Sequence, residues 1–144
     1  MTTDFGFERV YVELEWYDGP RAGIADIHGV PHRFKSNNDD TDDDPLGTFS
    51  VRVVEPDVLA KEQERWRIFV AWSRRYEAGD SAASEHPGVG GVDPRYDVLE
   101  RELAQDRNAS QATVRQARAE KKWLDRDERY AEDGPDYRMR WTFL

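Results

Sequence analysis

Residues 10–34, VYVELEWYDGPRAGIADIHGVPHRF, decide the fold. Val10, Val12, Leu14 and Trp16 alternate with Tyr11, Glu13, Glu15 and Tyr17. A period of two marks a strand with one buried face. Asp18-Gly19-Pro20-Arg21 interrupts it with turn residues. With those four as the loop, Tyr17 is expected opposite Ala22, Leu14 opposite Ala25, Val12 opposite Ile27 and Trp16 opposite Gly23. The apolar residues of both strands then share one face, so the register agrees with itself.

The second turn is His28-Gly29-Val30-Pro31-His32. A closed two-residue turn on Gly29-Val30 needs an N–H at residue 31, which Pro31 lacks. A four-residue loop over 28–31 sets Ile27 opposite His32, Ala25 opposite Phe34, and Asp26 opposite Arg33 as a cross-strand charge pair. A three-residue loop sets His28 opposite His32 and Asp26 opposite Phe34. The even register is preferred, because it keeps Ala25, Ile27 and Phe34 together inside.

Outward from this stretch, strands are expected at 8–17, 22–28, 32–36 and 47–54. Residues 36–47, SNNDDTDDDPLG, are too polar to bury and read as a mobile acidic loop. Pro56 and Asp57 open a helix over 56–78, with Val58, Leu59, Trp66, Phe69, Val70, Ser73 and Tyr76 on one stripe and Trp72 at its edge. Residues 79–92 read as a flexible connection. Asp93-Pro94 caps a second helix over 94–107. Residues 108–132 stay open between a helix and a strand at 112–123. The strand reading is helped by Asp133-Gly134-Pro135, which repeats Asp18-Gly19-Pro20 before another alternating run, Tyr137, Met139, Trp141 and Phe143. The expected class is α+β: one domain over 1–144, an antiparallel sheet of five or six strands, and two helices packed on one face.

Composition bounds the function. The chain has 144 residues, 38% of them hydrophobic, enough for a core, and a formal net charge of −9. That sign argues against nucleic acid and permits a basic protein partner. There are no cysteines, which excludes disulfides and thiolate metal sites and allows a cytoplasmic location. No apolar run reaches the roughly 20 residues of a membrane span. Met1-Thr2-Thr3-Asp4 does not begin a signal peptide. No cofactor is expected, and the sequence sets no oligomeric state.

Several constellations carry candidate chemistry. Asp26, His28 and His32 form a D-x-H-x3-H cluster that could ligate zinc or iron, as in a metal-dependent hydrolase. Only the three-residue register puts all three on one face. In the even register His32 turns inward. The outer sheet face and its loop, with Tyr11, Glu13, Tyr17, Asp18, Arg21, Asp26, His28 and Arg33, form the candidate binding surface. There Glu13 and Asp26 are expected as neighbours beside Arg33. The acidic run 39–44 fails as a calcium loop, because Pro45 and Val51 stand where Gly and Glu are needed. Residues 86–91, HPGVGG, follow a helix and lack a phosphate-loop signature. Ser81, Ser84 and Ser110 have no nucleophile-elbow context. Arg115, Arg118, Lys121, Lys122 and Trp123 form a basic-aromatic cluster, read as internal charge balance.

The hairpin Trp16-Tyr17-Asp18-Gly19-Pro20-Arg21 through Gly23 to Pro31-His32, with the Trp-bearing helix and the closing Arg138-Met139-Arg140-Trp141, resembles a group of small uncharacterised bacterial proteins. The resemblance implies no activity and assigns no residue a role. The leading expectation is a non-enzymatic protein-binding or regulatory domain. The alternatives are the metal-dependent hydrolase and a subunit of a larger assembly, built by strand addition at an open sheet edge.

Overall fold

The computed structural model describes residues 6–37, 47–109 and 113–144. The expected acidic loop lies almost wholly outside them. The chain divides into two compact units. One is built from residues 1–54, 112–129 and 133–144, the other from 55–111 and 130–132.

The first unit is an antiparallel barrel of β1 (Glu8–Trp16), β2 (Pro20–Ile27), β3 (Val30–Ser36), β4 (Thr48–Val53), β5 (Arg115–Trp123) and β8 (Tyr137–Phe143). The strands run in the order β1-β2-β3-β4-β5-β8, and β8 closes on β1 through Glu8–Met139 and Arg9–Arg138. Residues 115–123 are thus a strand, paired with β8 from Ala117 to Trp123. The class is α+β with a six-stranded antiparallel sheet. The sheet curls on itself, so its apolar face becomes an interior packed with its own side chains. Val10, Ala25, Ile27, Phe34, Phe49, Val51, Ala117, Ala119, Tyr137, Met139 and Trp141 fill it. Phe34, Phe49 and Trp141 pack ring to ring at 5.4–5.6 Å. Such pairs each contribute about 0.5–1.5 kcal/mol beyond the area they bury.

Both hairpin registers differ from the expectation. In the first, Trp16 faces Pro20, Glu13 faces Gly23 and Val10 faces Ala25. The loop is tighter than four residues because Asp18 and Gly19 both take positive φ, 52° and 139°. Register shifts between Val10 and Val12 and between Glu13 and Glu15 leave Tyr11 and Leu14 as extra residues. Each bulge flips the strand's faces. Val10, Glu13 and Trp16 therefore point inward, at a spacing of three, and Val12 joins Ile24 on the opposite face. Gly23 confirms which side is inside: a Cβ there would lie 2.8 Å from Phe34 Cζ.

In the second hairpin Ile27 faces Val30 and Ala25 faces His32, so the loop is the two residues His28-Gly29. Both have positive φ, 53° and 80°, as a tight primed turn requires. Pro31 falls opposite Asp26, and its carbonyl turns to the other side, accepting from Val54 N–H at 3.1 Å. Its missing N–H is not needed toward β2. Because the shift from the expected pairing is even, Ala25, Ile27, His32 and Phe34 are all buried, as the preferred register requires. The Asp26–Arg33 pair is lost: Arg33 faces Ile24 and Arg52.

The repeated Asp-Gly-Pro turn is a structural repeat. Gly134 has φ 138°, matching Gly19. Gly134 opens the two-residue strand β7 (Gly134–Pro135) and lies against β1, where a Cβ would run into Val10's carbonyl oxygen.

The second unit contains α1 (Pro56–Glu77), a short 3-10 turn at Ala83–Glu85, α2 (Pro94–Arg107) and β6 (Tyr130–Ala131). Asp93 caps α2, its side chain accepting from Tyr96 N–H at 3.0 Å. The buried side of α1 is Glu62, Trp66, Val70 and Trp72, not the full stripe expected, and Tyr76 is exposed. Trp66 Nε1 donates to Ala131's carbonyl at 2.7 Å. Glu62, with no exposed surface, accepts from Arg107 Nη2 at 2.5 Å and Nε at 3.1 Å. Arg107 also donates to Glu100, which in turn pairs with Arg65.

Candidate functional site

Three barrel strands deliver inward-facing side chains to one mouth of the barrel. The bulge at Tyr11 turns Glu13 into it. On β5, Lys121 and Trp123 continue the inward phase of Ala117 and Ala119. On β8, Tyr137 does the same. The loop after β5 adds Arg129. Asp136, itself buried, pins that loop: its Oδ1 accepts from Arg126 N–H at 2.9 Å, and its N–H donates to Arg129's carbonyl at 3.0 Å.

The geometry is dense. Glu13 Oε1 accepts from Arg129 Nη2 at 2.7 Å and from the Tyr137 hydroxyl at 2.9 Å. The side chain of Glu13 is only 7% exposed. Trp16, Trp123 and Tyr137 form a triangle of rings 5.5–5.8 Å apart. The Arg129 guanidinium lies 4.6 Å from the Trp16 ring centre and 5.3 Å from that of Trp123. Lys121 Nζ lies 4.8 and 4.2 Å from the same rings. Burial, then repulsion from Arg129, lowers the Lys121 pKa below the ordinary lysine range, while Asp18 opposes the shift. Tyr17 and Trp123 remain 56% and 39% exposed. A rigid aromatic surface with cations fixed against it is suited to recognition.

Of the expected surface residues, Glu13, Tyr17, Asp18 and Arg21 lie at this mouth, and Tyr11, Asp26, His28 and Arg33 lie away from it. Tyr17, Asp18 and Arg21 form its rim: Arg21 Nε donates to Tyr17's carbonyl at 2.9 Å, and its guanidinium covers the Tyr17 ring at 5.7 Å. Glu13 lies inside rather than on the outer face. It is not paired with Asp26, which instead accepts from the Tyr11 hydroxyl at 2.8 Å. Burial, and then that bond, push the Tyr11 hydroxyl up to about 12. Arg33 is buried, and His28 sits exposed in its turn. The backbone N–H groups of His28 and Gly29 donate to the carboxylate of Glu8 at 2.9 and 2.7 Å.

The three metal-ligand candidates are not brought together. His32 points inward, and its Nδ1 donates to Val30's carbonyl at 2.7 Å, while Asp26 faces the other way on Tyr11. No group of three His, Cys, Asp or Glu side chains able to hold a metal occurs among the described residues. The barrel sheet is closed, with β1 pairing with β2 and, at Glu8 and Arg9, with β8.

Trp16, Lys121, Trp123, Arg129 and Tyr137 were not grouped by sequence reasoning. Lys121 and Trp123 were visible as part of a basic-aromatic cluster, but Arg115 and Arg118 of that cluster do not belong to the mouth.

No protein-family model matches the chain, and neither a curated protein nor a solved structure matches it. No helix among the described residues is long and apolar enough to cross a membrane.

Proposed function

We propose that this chain is a non-enzymatic protein-binding domain whose recognition surface is the barrel mouth, with Trp16, Trp123 and Arg129 at its centre and Tyr17, Asp18 and Arg21 on its rim. The observation that carries this reading is the Trp16–Trp123–Tyr137 triangle, held rigid by the Glu13–Arg129–Tyr137 hydrogen bonds yet open at Trp123. Trp, Tyr and Arg are the residue types that dominate binding energy at protein interfaces. Pre-ordering them lowers the entropy lost on association. With Lys121, Arg129 and Arg21 around the rings beside Glu13 and Asp18, the mouth suits a partner surface that brings acidic groups to the exposed cations.

The test is affinity capture from the native host with the whole chain and with the Tyr17→Ala/Trp123→Ala double variant. The expected result is one protein retained by the wild type and lost from the variant, with both chains giving the same circular dichroism. Retention of the same proteins by a folded variant removes the mouth as the binding surface.

A further inference from the structure

We infer that the outer face of the barrel at β1 and β8 holds a binding site for a single phosphate group, lined by Arg9, Arg126 and Arg138. This goes beyond the protein-binding reading and uses a different face.

Two independent observations meet here. One is a concavity of about 80 Å³ whose lining includes Arg9, Arg126, Asp133, Tyr137 and Arg138. Such a space exceeds what one water needs and fits one compact oxyanion rather than a chain. The other is the strand register. Arg9 on β1 stands directly opposite Arg138 on β8, and Arg138 stands directly opposite Lys122 on β5. Three cations are thus aligned across three adjacent strands. Like charges directly opposite one another destabilise a sheet. One rung along, Glu120 faces Arg140 and receives two hydrogen bonds from it, at 2.8 and 2.9 Å. A row of three cations with a concavity beside it points to an anion that resolves the conflict.

The groups in place are suited to an anion. Arg9 Nε donates to Asp133's carbonyl at 3.1 Å, and its guanidinium stacks on Tyr11 at 4.2 Å, which fixes its plane. Arg126 is aimed by its Asp133 partner, at 2.9 Å, and its backbone is held by Asp136. Arg138 has no carboxylate partner among the described residues. The three guanidiniums and the Asp133 carboxylate leave a surplus of two positive charges, matching a phosphate dianion. Guanidinium forks fit phosphate oxygens two at a time.

The experiment is calorimetric titration of the full chain at low ionic strength with inorganic phosphate, with glycerol phosphate as a monoester, and with a short single-stranded oligonucleotide. Sodium chloride at matched ionic strength is the blank. One saturable site for phosphate or the monoester is expected, weakened about tenfold or more in Arg138→Gln and in Arg9→Gln. The tighter of the two ligands identifies the source, free or esterified phosphate. Without phosphate, Arg138→Gln is expected to melt no lower than the wild type, because it relieves the like-charge row. Trp123→Ala is expected to bind phosphate unchanged, which separates this site from the barrel mouth. Heats no larger than the chloride blank, binding within twofold of wild type in Arg138→Gln, or oligonucleotide binding that phosphate does not displace each overturn the inference.

Discussion

Arg129 Nη2 donates to Glu13 Oε1 at 2.7 Å, joining residues 116 positions apart in the chain. The contact exists because the Tyr11 bulge turns Glu13 inward and because Asp136 anchors the loop that carries Arg129. Hydrogen bonds to charged groups contribute about 1.5–3 kcal/mol each. Glu13→Ala is therefore expected to lower unfolding stability by about 2–3 kcal/mol, measured by urea denaturation. A double-mutant cycle with Arg129→Met is expected to give a coupling energy of about 1 kcal/mol or more. Additive effects of the two substitutions contradict the geometry.

Glu8 secures the second hairpin in a different way. Its two carboxylate oxygens take the His28 and Gly29 N–H groups, so a residue of β1 caps the turn between β2 and β3. Glu8→Ala leaves both donors to water. A loss of about 1–2 kcal/mol is expected, together with faster amide hydrogen exchange at His28 and Gly29 than at Ala25. Unchanged exchange at those two amides argues against the cap.

His86 gives the helical unit a pH dependence. Its ring lies 4.5 Å from Trp72 and 5.7 Å from Phe69, and burial, with Arg65 nearby, lowers its pKa below the ordinary 6.5. The unfolded chain therefore binds the proton more tightly than the folded one. The corresponding stability is present above pH 6.5 and is lost as pH falls from 6.5 toward the lowered folded value. In His86→Phe, which keeps the ring packing, the slope of stability against pH between 5 and 7 is expected to flatten. An unchanged slope assigns that pH dependence to other groups.

Much of this was legible locally. Pro56, Asp93-Pro94, the alternation of Phe49, Val51 and Val53 and that of Tyr137 through Phe143 fix element type and position, because caps and side-chain period act over a few residues. The candidate site was not legible. Alternation assigns Glu13 to the solvent face, and only the bulge at Tyr11 reverses that. A bulge answers to the neighbouring strand, here β2, rather than to its own sequence.

The sequence by itself determined the elements outside 108–132, the inward phase of β2, β3 and β8, and the two Asp-Gly-Pro turns, whose glycines take φ near 139° in both places. Those are consequences of bonding and sterics within a few neighbouring residues. Tertiary structure alone decided that β8 would meet β1 and close the sheet, that Glu13 would enter the interior, and that Arg9, Arg138 and Lys122 would stand in one row. Each of those outcomes is a pairing between distant strands, whose register no local pattern encodes.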